Sequence, residues 1–184
     1  MTRERRIAIQ PIAEAALAPF GRAVGISSSD SHAAARPPDA AGDGWACWYP
    51  VGELRDAAPL LIGLVRTDPR SLQVEALERH DDREEWVYAL DQPVVQVVAL
   101  SASGQPDWPD AASAAAFLLQ PGQGVVVERG VWHSAGLPAG QRSVCYGFVL
   151  GPPRPGAPPT TNPWIPFAGG ECLILEFPPN IPEP

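Results

Sequence analysis

Lysine is missing from this chain. All 13 basic residues among its 184 are arginine, set against 21 acidic ones. The formal net charge of -8 argues against nucleic acid or an anionic membrane surface as partner, because both require a basic patch. A small anionic substrate stays admissible, since a local site can oppose the global charge. Histidine is scarce as well: His32, His80 and His133 are the whole supply. Cys47, Cys145 and Cys172 are odd in number and share no close spacing, which excludes a thiolate zinc site and a fully paired disulfide framework. They read as reduced thiols of a cytosolic protein, with Cys145 and Cys172 acting as small hydrophobes in apolar strands. No run approaches a membrane-spanning length, and MTRERRIAIQ runs out of apolar residues too early for a signal sequence. A soluble, cytoplasmic protein is expected.

Proline and glycine, by contrast, are abundant at 23 and 17 residues, and they punctuate short apolar runs. The N-terminal IAIQPIAEAALAPFGRAVG predicts a strand, a turn at Pro11 and a brief alanine-rich helix ended by Pro19 and Gly21. Residues 27–44 are poor in large apolar side chains and read as a mobile loop in which His32 is solvated. From Trp45 onward the pattern is β, with strands predicted at 60–65, 71–80, 85–90, 94–100, 115–119, 124–128 and 143–150. These runs are too short and close for helical crossovers, so the expected class is all-β, a sandwich or jelly-roll barrel with a short N-terminal helix. One domain over 1–150 is followed by a Pro-rich extension, 151–184. In it ECLILEF predicts one returning strand that packs on the sheet edge or on a partner subunit.

The segment LERHDDREEWVYALDQP carries the densest chemistry. Glu78 and His80 are two apart and share a face of a strand. A turn through DDRE brings in Glu85, whose strand would face Glu85, Val87 and Ala89 inward. Further on, PGQGVVVERGVWH places His133 behind a turn at Gly130. Two readings are open on the residues alone. ERHDDREE is a solvated charged hairpin with local ion pairs of little weight, or Glu78, His80, Glu85 and His133 form a divalent-metal site. Mixed nitrogen and oxygen donors suit Mn, Fe, Ni or Zn.

The spacing resembles the two cupin motifs. ERHDDREEWVYALDQ resembles the first, with Glu78 in the place of its first histidine, His80 in that of the second, Glu85 in that of the glutamate, and Gln92 where glycine is usual. PGQGVVVERGVWHS resembles the second, ending in His133. Within the cupins the chain resembles the ureidoglycolate lyases. PIAEAALAPFGRAV (Pro11 to Val24), ERH (78–80), VVQVVAL and GVWH (130–133) are similar to that family's segments in the same order. Departures are also present: Ser134 stands where the family has a second histidine, and Val127, Glu128 and Arg129 where it has Tyr-His-Arg. Asp81 replaces a proline, Glu85 a glutamine, and ACWYPVG lacks an arginine and a histidine.

The resemblance implies a cupin double-stranded β-helix that binds a divalent transition metal and splits ureidoglycolate into glyoxylate and urea. It implies His80, Glu85 and His133 as ligands and Glu78 as a fourth ligand or the base. It offers Arg129 and Arg79 to the substrate carboxylate; strand alternation turns Arg79 outward, into ion pairs. It further implies a homodimer, with ECLILEF as the pairing strand, and a place in allantoin degradation within purine catabolism. The departures leave two alternatives: a diverged metal cupin acting on another small hydroxy or keto acid, and a non-catalytic cupin that binds a small ligand.

Overall fold

The computed structural model describes residues 3–25, 40–42, 45–47, 60–151 and 164–179. Most of the loop expected at 27–44, including His32, and most of the Pro-rich connector lie outside them. In chain order the elements are β1 (Arg3–Pro11), a single helical turn α1 (Glu14–Leu17), β2 (Gly21–Gly25), β3 (Ala40–Gly42), β4 (Trp45–Cys47), β5 (Leu61–Thr67), β6 (Gln73–Val74), β7 (Ala76–Arg79) and β8 (Glu85–Ala89). They continue with β9 (Val94–Ala99), β10 (Ser101–Ala102), β11 (Gln105–Pro109), β12 (Ala115–Leu119), β13 (Gln123–Val127) and β14 (Trp132–His133). Last come β15 (Leu137–Pro138), β16 (Val144–Leu150), β17 (Ile165–Pro166) and β18 (Glu171–Glu176).

Two sheets dominate. The larger runs β17-β7-β14-β9-β12-β1-β18-β6, with β15 also on β9; the smaller runs β2-β13-β8-β16-β5. One buried cluster draws Val94, Val98, Phe117 and Leu119 from the first sheet and Val87, Val125, Val127 and Tyr146 from the second. That cluster is therefore the space between the sheets, and the fold is the expected cupin jelly roll. A second cluster, with Ile9, Val95, Val97, Leu173 and Leu175, covers the outer face of the larger sheet. β9 is buried at every position because alternate valines serve the two clusters, so it reads as an unbroken apolar run.

The strand expected over 71–80 is two strands with a bend at Glu75, because its halves have different partners. β6 pairs with β18, whereas β7 pairs with β14 and β17. The alanine-rich helix is one turn, since Pro19 follows it, and it buries Leu17 between the sheets. β1 pairs parallel with β12 through Ile9–Pro11 and parallel with β18 through Arg3–Ala8. The returning strand is thus built into the chain's own larger sheet. Among the described residues no helix is long and apolar enough to cross a membrane.

Candidate metal centre

β7 and β14 are antiparallel neighbours, with Trp132 opposite Arg79 and His133 opposite Glu78. Alternation then sorts the two pairs onto opposite faces. On the outer face the Arg79 guanidinium lies 4.5 Å from the Trp132 ring centroid. It also pairs with Asp81 at 2.6 Å and Asp107 at 3.3 Å, the outward ion pairing expected for Arg79. Trp132 Nε1–H donates to Ser101 Oγ at 3.0 Å, tying this face to the β10–β11 hairpin.

The inner pair meets His80 and Glu85. One ligand atom each from Glu78, His80 and His133 lies within 4.8 Å of the others. Glu85 Oε2 sits between the imidazoles, 3.0 Å from His80 Nε2 and 3.0 Å from His133 Nε2. Glu78 Oε1 is 4.0 Å from His133 Nε2. Two backbone devices set this geometry. Gly130, at φ 76, makes the turn before β14, and its N–H donates to the His80 carbonyl at 2.9 Å. His133 Nδ1–H donates to the Val131 carbonyl at 3.1 Å, which aims Nε2 into the site.

Proton affinities follow from this packing. For Glu85, burial would raise the pKa, but hydrogen bonds from His133 and His80 and their positive charge outweigh it, lowering the carboxyl to about 2. For His133, burial would disfavour the cation, yet the carboxylates of Glu85 and Glu78 hold its pKa above the ordinary value. Burial raises Glu78, with Glu85 adding to the shift and the two histidines opposing it. Without a metal, then, His133 donates from both nitrogens and Glu85 accepts.

The donor set fits a divalent cation. Two imidazole nitrogens and two carboxylates converge, and the Nδ1 anchor on His133 is the arrangement that fixes a ligating imidazole. Glu78, His80, Glu85 and His133 are brought together here. Arg129 is exposed in the turn before β14.

Three further contributors carry no motif in the sequence. Glu84, treated there as part of a turn, is buried and accepts from Arg22 at 2.9 and 3.1 Å, while Arg22 also pairs with Glu128. Hydrogen bonding to Glu84 raises the Arg22 pKa. This cluster joins β2 and the end of β13 to the residue next to Glu85, so it fixes where β8 begins. Gln96 is fully buried, and its Nε2 donates to the Ser134 carbonyl at 2.7 Å. The Ser134 hydroxyl accepts from the Val97 N–H at 3.1 Å. Tyr146 is buried between the sheets, and burial, with the charges of Glu85 and Glu78 adding to it, raises its pKa. The nearest sequence signal for these residues was an ionic or polar side chain inside a strand-like run.

A family profile described as ureidoglycolate lyase matches residues 4–151. The chain is 30% identical over 135 residues to a ureidoglycolate lyase of Azotobacter vinelandii, covering 70% of this chain and 75% of that protein. Among solved structures it is similar to Lactobacillus farciminis oxalate decarboxylase in a formate complex. That match has 21% identity and a TM-score of 0.39 over 52% of this chain and 25% of the other. Bacillus subtilis oxalate decarboxylase at pH 4.6 gives 18% identity and a TM-score of 0.36 over 49% and 20%. The chain thus spans a quarter or less of either decarboxylase.

Proposed function

The chain belongs to the ureidoglycolate lyase family and is a lyase, and from that premise we propose that it cleaves ureidoglycolate to glyoxylate and urea with a divalent transition metal bound. The observation that carries the metal part of this reading is the convergence of Glu78, His80 and His133 within 4.8 Å. Glu85 lies against both imidazoles. Mn, Fe, Ni and Zn all suit these donors. His80, Glu85 and His133 would hold the ion, with Glu78 as a fourth ligand or as the base. Bound there, it acts as a Lewis acid that makes the substrate hydroxyl more acidic.

Acting as the base, Glu78 would take the hydroxyl proton. Its raised pKa brings it towards the neutral range where a base works best. As the O–H bond breaks, its electron pair forms the aldehyde carbonyl and the carbon–nitrogen bond breaks. The ureido nitrogen then takes a proton and leaves as urea; Glu78 can return the one it removed. Arg129, which the family resemblance offers to the substrate carboxylate, is exposed on the turn leading to His133. A homodimer, a cytoplasmic setting and a place in allantoin degradation belong to the same proposal.

The test is direct. Metal-loaded protein given ureidoglycolate should release urea and glyoxylate in equal amounts, without ammonia. His133→Ala should lose both the bound metal and turnover; a variant that keeps its metal would sink the ligand assignment. One observation favours a second reading, a lyase of the same type acting on another small hydroxy acid amide. Ser134 stands where the family places histidine, and its hydroxyl is engaged with the Val97 backbone. Faster release of an amine or amide from a different 2-hydroxy acid would establish that reading instead.

A further inference from the structure

Beside the metal centre lies a cleft of about 520 Å³ whose walls include Arg70, Ala76, Ser134, Ala135 and Trp164. Two of these place it against the centre. Ala76 is two residues before Glu78 on β7, and Ala135 is two residues after His133, so the cleft continues from the segments that carry those ligands. Next to the wall, Gly136 packs closely on the interior. Gly136 follows Ala135, and a Cβ added at Gly136 would lie 2.8 Å from the Tyr146 ring.

Arg70 is the cleft's cation. It is exposed, and it makes no hydrogen bond or ion pair with the described residues. Burial and the charges of Glu85 and Glu78 raise the Tyr146 phenol, and the Arg70 charge opposes that rise. Glu75 is the cleft's other charged group; burial, with the charge of Glu75 adding to it, raises the Cys172 thiol pKa. Arg79, by contrast, is committed on the outer face to Asp81, Asp107 and Trp132.

We propose that Arg70 binds the carboxylate of the substrate, in the cleft whose wall holds Ala76 and Ser134, close in sequence to Glu78 and His133. The inference rests on the reading of the centre as the place where a small 2-hydroxy acid reacts. Carboxylate recognition is the task a guanidinium does best, since two parallel N–H donors match two oxygens. The carboxylate has the same charge before and during carbon–nitrogen cleavage. Arg70 therefore contributes equally to both states and affects binding more than the chemical step.

Two measurements on the metal-loaded protein test this, and only one depends on turnover. Calorimetric titration with glyoxylate should show binding by the wild type and about tenfold weaker binding by Arg70→Ala, with part restored in Arg70→Lys. Melting temperatures of both variants should equal that of the wild type, because the side chain is exposed. With ureidoglycolate, Arg70→Ala should raise KM about tenfold and leave kcat within about twofold. Unchanged glyoxylate affinity in Arg70→Ala, or no glyoxylate binding by the wild type, overturns the inference. So does a loss carried by Arg129→Ala in place of Arg70→Ala. Wild-type protein that binds glyoxylate through Arg70 but leaves ureidoglycolate intact would overturn the ureidoglycolate reading alone.

Discussion

One carboxylate oxygen of Glu85 serves two imidazoles, and this makes the metal-free protein sensitive to pH at both ends. The Glu85 carboxyl falls from its ordinary 4.5 to about 2, so its contribution is fully present above 4.5 and lost as pH drops towards about 2. The His133 pKa is raised, so its contribution is complete below the ordinary 6.5 and lost as pH climbs through the raised value. The two shifts share the Glu85–His133 contact, and the Glu85 shift, to which His80 also contributes, is worth on the order of 3 kcal/mol. Urea unfolding of chelator-treated protein should therefore show greatest stability between those limits. Glu85→Gln should remove most of that excess and flatten both limbs; a wild-type curve as flat as the variant's would contradict the assignment. Strand alternation made the shared face of Glu78 and His80 legible in the sequence, and the resemblance to the cupin motifs made Glu85 and His133 legible as their partners. Tyr146 and Gln96 were not, since their importance arises only when the barrel closes and strands distant in sequence meet.

β14 is only two residues long, and its position depends on the turn before it. Gly130 holds φ 76 there, and a Cβ added to it would meet nothing within 4 Å. The cost of Gly130→Ala is therefore conformational, about 1–2 kcal/mol. The same turn holds the His80 carbonyl, so a shift in it moves two ligands at once. Metal affinity of Gly130→Ala, measured by titration against a chelating indicator, should fall roughly tenfold, as expected when a ligand's support is disturbed. Unaltered affinity with a lowered melting temperature would show that the turn stabilises the fold without positioning the site. At this scale the sequence showed β5, β8, β9, β12, β13, β16 and β18 to within a residue or two, because Gly and Pro bound apolar runs, and it missed short strands such as β10, β11, β15 and β17. It hid the break at Glu75 and the parallel pairing of β1 with both β12 and β18. Nothing in a strand's own residues names its neighbours.

Across the whole molecule, β18 and β5 answer differently the question of what a second copy could grip. β18 lies between β1 and β6 in its own sheet and buries Leu173 and Leu175 against Ile9 and Val74. It is not the free edge that ECLILEF suggested. β5 is the end strand of the smaller sheet, paired among the described residues with β16 alone. Its alternation places Val65 against the interior and turns Ile62 and Leu64 outward, 82% and 74% exposed. Apolar side chains on the solvent side of an end strand are the reverse of what protects a sheet from association. Two copies related by a two-fold axis would pair β5 with β5 and cover all four of these side chains in one isologous contact. The wild type should accordingly sediment as a dimer. Ile62→Glu combined with Leu64→Glu should sediment as a monomer with its metal affinity intact, because neither residue supports the centre. A monomeric wild type would remove the dimer from the account, and a variant that stays dimeric would move the interface away from β5.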